Sequence, residues 1–341
     1  MAETRFDYDD AARTAEHIRG RLKEEEREEG SIREGLTLGS GLGGFVADHM
    51  SRDEAPLEIP FEEIFALLNR VEGRPTIEIP EHKVPGHAQR LIIGHLTGTN
   101  ENDLILAQSG REHPYEGVSL KRSTFWLRVM QLLQAEAWIG SNASGVLTPD
   151  TLTPPAIVLV ESALDMGNDN PLYGPNDDRF GPRFPHQSDL YSAAALADFE
   201  AAAKAHGISI QKGMYVRLPG PEYENPETVY RLRGVLRNVW EEAGMNPDET
   251  RFRGPVIGVV GMSSTYEALV AKHASQSTKH PAFTRGISLL SATTNYSGSV
   301  GPKGFVGPSN HDEVKREALG VQENFGRLVR EGMIRMRNDK K

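Results

Sequence analysis

Short apolar runs recur along this chain, and most of them open directly into a segment of small or polar residues. Gly35–Leu38 runs into GSGLGG (39–44), Asp103–Gln108 into SGREHPYEG (109–117), and Ala137–Gly140 into SNASG (141–145). Pro255–Val260 leads to GMSS (261–264) and Ile287–Leu290 to TTN (293–295), while Ala156–Val160 is a further apolar run. Runs of this length bounded by small polar residues predict buried strands. Between them lie stretches at helical spacing, including Ala11–Glu29, ended by Gly30, and Trp126–Leu133. Strands alternating with helices predict an α/β fold, a single central mixed β-sheet flanked by helices. In such sheets ligands collect at the loops beyond the strand ends. The small polar segments are therefore the first place to look for a site.

Composition narrows the function classes. The chain has 341 residues, 38% of them hydrophobic and 25% charged, which suits an ordinary globular protein with a large core. A formal net charge of −10 argues against a nucleic-acid coat, because phosphate backbones call for clustered Lys and Arg. With no cysteine, disulfides, thiolate metal sites and a cysteine nucleophile are excluded. The stretch Met1–Asp10 is polar and acidic rather than signal-like, and no apolar run approaches the ~20 residues that span a bilayer. A soluble, cytoplasmic protein is expected. Residues 1–30 read as an N-terminal helical extension and 31–341 as a single catalytic domain, with no internal repeat or linker between.

Three segments carry candidate chemistry. GSGLGG contains G-x-G-x-x-G at Gly39, Gly41 and Gly44. It reads as a plain tight turn, as a cradle for one phosphate using backbone N–H groups and Ser40, or as a dinucleotide fingerprint. The last needs an acidic residue about 20 positions on, where Glu58 sits in an unconvincing context. In GREHPYEG, Arg111 and His113 fall on one side of an extended chain and suit a single anion. The plainer alternative pairs Arg111 with Glu112 or Glu116. Glu224 follows a proline-glycine turn beside Tyr223, an aromatic plane next to a carboxylate that suits a heteroaromatic ring, or simply a surface turn. Eleven histidines include His82 and His87 close together, but no HExxH or comparable ligand set appears, so no metal is expected. There is no G-x-S-x-G elbow to support a serine triad.

Taken in order, LGSGLGGF (38–45), VPGHAQRL (84–91), SGREHPYEG, SNASG, GPNDDRFGPRFP (174–185), LPGPEYE (218–224), GMSSTYE (261–267), TTN and NHDEV (310–314) resemble the trimeric purine nucleoside phosphorylase family. The resemblance spans roughly residues 35 to 335. It implies a phosphorylase/hydrolase-like fold, a homotrimer, and transfer of ribose or deoxyribose from a purine nucleoside to inorganic phosphate, a co-substrate, with no metal or organic cofactor. It places the phosphate grip on Ser40, Arg111, His113, the backbone N–H of Ala143, and Ser263, with His87 near phosphate and sugar. Ribose contacts fall on Tyr115, Met262 and His311, and base contacts on Glu224 and Asn295, with Tyr223 stacking. Glu224, Asn295, His113 and His311 would be the catalytic set, His311 orienting the 5′-hydroxyl.

The chemistry agrees with those roles. Breaking the glycosidic bond builds positive charge on ribose and negative charge on the purine. A phosphate dianion stabilises the first, while Asn295 at N7 and Glu224 at the N1–H edge attend the second; such contacts accelerate only insofar as they strengthen in the transition state. An amide at 295 suits a 6-oxopurine, as in inosine or guanosine. The similar methylthioadenosine phosphorylases carry Asp there, suited to a 6-amino group. The alternatives are a phosphorylase for 5′-methylthionucleosides, against which His311 argues, an inactive purine-binding relative, and, more remotely, a dinucleotide-dependent dehydrogenase.

Overall fold

A computed structural model describes residues 5–27, 31–39, 43–51, 54–78, 88–99, 102–245, 257–307 and 311–338. The main sheet is built from β1 (Ser31–Leu38), β2 (Leu57–Pro60), β3 (Arg90–His95), β4 (Asp103–Ser109), β5 (Ala137–Val146), β6 (Ala156–Asp165), β7 (Gln211–Arg217), β8 (Gly258–Gly261) and β9 (Gly286–Tyr296). Around it lie α1 (Tyr8–Glu24), α2 (Phe45–His49), α3 (Phe61–Asn69), α4 (Leu120–Ser123), α5 (Phe125–Leu132), α6 (Ala193–His206), α7 (Pro226–Met245), α8 (Thr265–Ser275) and α9 (His311–Asn338).

The strand order is β2-β3-β4-β1-β5-β8-β7-β6-β9, and β9 also pairs with β5. The sheet thus curls back on itself into a closed ring of β5, β8, β7, β6 and β9, with β1 to β4 as an extension. Pairing is mixed: β4, β1, β5 and β9 run parallel in sequence, whereas β8 meets β5 antiparallel. Closure removes the exposed edge that β5 would otherwise present. Buried aromatics fill the space between layers, with Phe61 stacked on Trp126 at 4.2 Å and the Trp138 indole donating to Thr37 Oγ1. Helix α1 carries Ala11, Ala15 and Ile18, all at 0% exposure, into the same core. At the other end of the chain, Arg337 of α9 pairs with Glu34 of β1 at 2.6 Å, both buried, which ties the last helix to the sheet.

Over their described residues the apolar runs lie in strands, apart from Ile257 just ahead of β8, and two polar segments expected to be loops lie in strands as well. SNASG lies within β5 and TTN within β9. Ser141, Asn142, Ser144, Thr293 and Thr294 are buried, Ala143 and Asn295 half-buried, and Ser291 Oγ lies 2.6 Å from both Asn142 Oδ1 and Ser144 Oγ. Polar side chains paired in this way sit in strand interiors at little cost.

Candidate active site

The carboxyl ends of β4, β7 and β9, the second half of β5 and the turn from β8 into α8 converge on one cavity of about 320 Å³. Arg111, His113 and Tyr115 reach it from the segment after β4, and Ala143 from within β5. Met262 and Ser263 come from the β8–α8 turn, Tyr223 and Glu224 from the loop after β7, and Asn295 from the end of β9. Ser40 and His87 lie outside the described residues, as does the His311 side chain, although that residue opens α9 and Val314 of the same turn lines the cavity.

Arg111 does not pair with Glu112 or Glu116. Its Nε donates to Glu267 Oε1 at 2.9 Å, with both side chains buried, while its other nitrogens lie 3.3 Å from Ser263 Oγ and 3.0 Å from the Ser141 carbonyl. Glu112 pairs instead with Arg122 at 2.6 Å. Glu116 accepts from both the backbone N–H and Nδ1 of His113. That contact assigns the Nδ1–H tautomer, so Nε2 is the acceptor of the neutral ring. Burial holds the His113 imidazole below its usual pKa, Glu116 raises it and Arg111 lowers it further. The His113 ring stacks on Tyr115 with centroids 4.6 Å apart.

Two local features shape the anion end. Ser264, the N-cap of α8, has φ of +71°, a conformation a non-glycine residue holds only when its surroundings enforce it. Asn142 Nδ2 donates to its hydroxyl at 2.9 Å, and Ser264 is buried. The turn thus sets the amino end of an 11-residue helix at the cavity, where the helix dipole favours an anion. Gly39 begins the GSGLGG turn, and a Cβ there would come within 2.7 Å of the Asn142 Cα and the Ser141 carbonyl oxygen. Only glycine lets the chain at position 39 lie this close to β5.

At the base end, the Asn295 and Gly145 positions oppose each other across β5 and β9, next to a register shift that leaves Thr294 as an extra residue. The bulge carries Thr294 and Asn295 together to the cavity wall. The Thr294 hydroxyl lies 3.0 Å from Asn295 Oδ1 and 3.2 Å from the Ser144 carbonyl. Glu224 is half-buried, and its Oε2 accepts from the Ser297 hydroxyl at 2.6 Å. Burial pushes the Glu224 carboxyl up, while the Ser297 hydrogen bond pulls it down. Glu58, the acid a dinucleotide site would need, instead pairs with Arg90 on the outer strand β2. Ser264 and Glu267 fall within the GMSSTYE segment without a role of their own and Ser297 carries no signal, since each acts through a contact distant in the chain.

The closed mixed sheet, with an anion-suited end and a base-suited end on one cavity, defines a phosphorylase/hydrolase-like α/β enzyme. Residues 58–329 match the model of the phosphorylase superfamily, and the chain belongs to that family. It is 34% identical over 296 residues to purine nucleoside phosphorylase 1 of Bacillus subtilis, covering 87% of this chain and 89% of that one. The purine nucleoside phosphorylase of Rattus norvegicus is 32% identical over 276 residues, covering 80% and 79%. Among solved structures, the purine nucleoside phosphorylase of Schistosoma mansoni in complex with adenosine superposes with a TM-score of 0.71 at 24% identity, over 97% of this chain and 98% of that one. Its fold is the one described above.

Proposed function

We propose that this enzyme cleaves purine nucleosides with inorganic phosphate, releasing the free base and ribose 1-phosphate, and that it prefers 6-oxopurines such as inosine and guanosine. The observation that carries this reading is the presence of an anion-suited set and a base-suited set on one cavity. The family likeness to named purine nucleoside phosphorylases supports it over a large share of the chain.

In this reading Arg111, Ser263 and the Ala143 backbone hold phosphate, together with Ser40. Neutral His113 accepts from the protonated phosphate oxygen through Nε2. Phosphate approaches C1′ as the C1′–N9 bond breaks and its electron pair moves into the purine. A C1′–O bond to phosphate forms, and the proton that the phosphate monohydrogen dianion gives up ends, by way of solvent, on the departing base. Asn295 donates to the base as charge develops there, and ionised Glu224 accepts from N1–H while Tyr223 stacks. Tyr115, Met262 and His311 contact the sugar, and His87 lies near phosphate and sugar. A donor aimed at developing charge contributes about 10²–10³ in rate. No metal or organic cofactor enters this scheme, and among the described residues no cluster of three His, Asp or Glu side chains suited to a metal occurs.

The 5′-methylthionucleoside reading is disfavoured by His311, whose assigned role requires a 5′-hydroxyl. The test is release of hypoxanthine from inosine with and without phosphate, alongside adenosine and methylthioadenosine. Phosphate-dependent release from inosine is expected. Release from methylthioadenosine alone would overturn the substrate, and no release from any of them would overturn the reaction.

A homotrimer acting in the cytoplasm completes the proposal. No described helix is long and apolar enough to cross a membrane. Phe184 is 88% exposed and Tyr173 64% in the single chain, and a neighbouring subunit would cover such side chains. Sedimentation equilibrium should return the mass of three chains, and a monomer at micromolar concentration would refute the assembly.

A further inference from the structure

Glu224 is assigned the N1–H edge of the purine, and a long carboxylate side chain must be held still to read that edge. Freezing its rotatable bonds during binding would cost affinity that a preset conformation does not. The structure supplies a restraint from the far side of the fold. The short 3₁₀ turn Ser297–Ser299 follows β9, and its first residue is fully buried with its hydroxyl 2.6 Å from Glu224 Oε2. Gly298 has φ of +60°, and a Cβ there would come within 2.6 Å of Val229 Cγ2 and 3.0 Å of the Asn225 carbonyl oxygen. The turn is therefore pressed against the residue that follows Glu224. Across the sheet, Gly145 leaves the space that Ser297 occupies, since a Cβ there would lie 3.1 Å from the Ser297 Cβ.

We propose that Ser297 is a positioning residue for the base site: its hydroxyl fixes the Glu224 carboxylate through one oxygen and presents the other to the purine N1–H. This rests on the proposed nucleoside reading of the cavity. A hydroxyl that donates to the carboxylate also favours its ionised form, the form that accepts most strongly from N1–H. The titratable groups on the surrounding elements do not take over that role. Tyr115, across the cavity, is held neutral by burial. Tyr223 and Glu222 belong to the same loop as Glu224, Arg233 of α7 donates to the Leu147 and Val300 carbonyls, and Asp312 in the first turn of α9 is exposed.

The experiment compares wild type, S297A, E224Q and the double variant, each as the full chain. S297A is expected to lose roughly tenfold to a hundredfold in kcat/KM for inosine, the scale of a hydrogen bond to a charged group, with KM for phosphate unchanged. The acidic limb of its pH profile should move to higher pH, because the donor that lowers the Glu224 pKa is gone. In the E224Q background the same substitution should cost little more. Equal losses in both backgrounds, a matching rise in KM for phosphate, or a wild-type pH profile would overturn the inference. If wild type itself releases no hypoxanthine, the functional reading falls instead. Hypoxanthine titrated calorimetrically then tests Ser297 without turnover, and equal affinity of wild type and S297A would overturn its role.

Discussion

Replacing Arg111 by alanine should cost the enzyme both its activity and part of its stability, and the two losses should be separable. The guanidinium bridges Glu267 on one side and Ser263 on the other, at 2.9 Å and 3.3 Å. Its removal takes the cationic donor from the proposed phosphate grip, with an expected fall of about 10²–10³ in kcat/KM for phosphate. It also strands Glu267, 4% exposed, as a buried charge without its partner. Breaking a buried pair from one side costs about 3–5 kcal/mol. Urea unfolding should therefore show a lowered midpoint for R111A, largely regained in R111A/E267Q, whose neutral amide no longer needs the cation. Activity should not return in the double variant. Recovery of turnover there would refute the phosphate role, and an unchanged unfolding midpoint in R111A would refute the buried-pair argument.

Asn295→Asp should reverse the polarity with which the enzyme meets the six-position of the base. In the native site Oδ1 of the amide faces the Thr294 hydroxyl, and Nδ2, which lies 3.4 Å from the Tyr296 carbonyl, carries the donors. An ionised carboxylate has no donor and would oppose both N7 and a 6-oxo oxygen, yet it accepts from a 6-amino group. Sites built around a specific hydrogen bond discriminate strongly when a partner is left unpaired, so the inosine-to-adenosine ratio of kcat/KM should shift by roughly 10²-fold or more toward adenosine. Measuring both substrates at saturating phosphate decides it, and an unaltered ratio would remove Asn295 from base recognition.

The strands that could be read from the sequence are those with uninterrupted apolar runs, such as Leu104–Ala107 and Ile157–Val160. Strand β7 was not legible, because it starts on the exposed Gln211 and Lys212 and its buried part holds only three large apolar residues, Met214–Val216, between Gly213 and Arg217. The central error was to take SNASG and TTN as loops. Local composition cannot reveal that Ser291 will satisfy Asn142 and Ser144 from a strand 147 to 149 residues away. The site residues gathered on the cavity came from motif order, and their convergence depends on ring closure by β9, which no local pattern encodes. For the same reason the plainer alternative for Arg111 does not occur: Glu112 and Glu116 are engaged by Arg122 and His113, and a glutamate 156 positions away does the pairing.

The cavity is assembled from two sets of chain segments joined along the β5–β9 ladder, where Thr294 touches the Ser144 carbonyl. One set is β4, the middle of β5 and the start of α8; the other is the loop after β7 and the last residues of β9. Substitutions in the second set can alter which heterocycle is welcomed while the first, held by its own buried ion pair and the Asn142–Ser264 hydrogen bond, remains undisturbed. A lineage with this architecture is thus free to diversify its choice of nucleobase in small heritable steps, each intermediate still competent in the bond exchange itself.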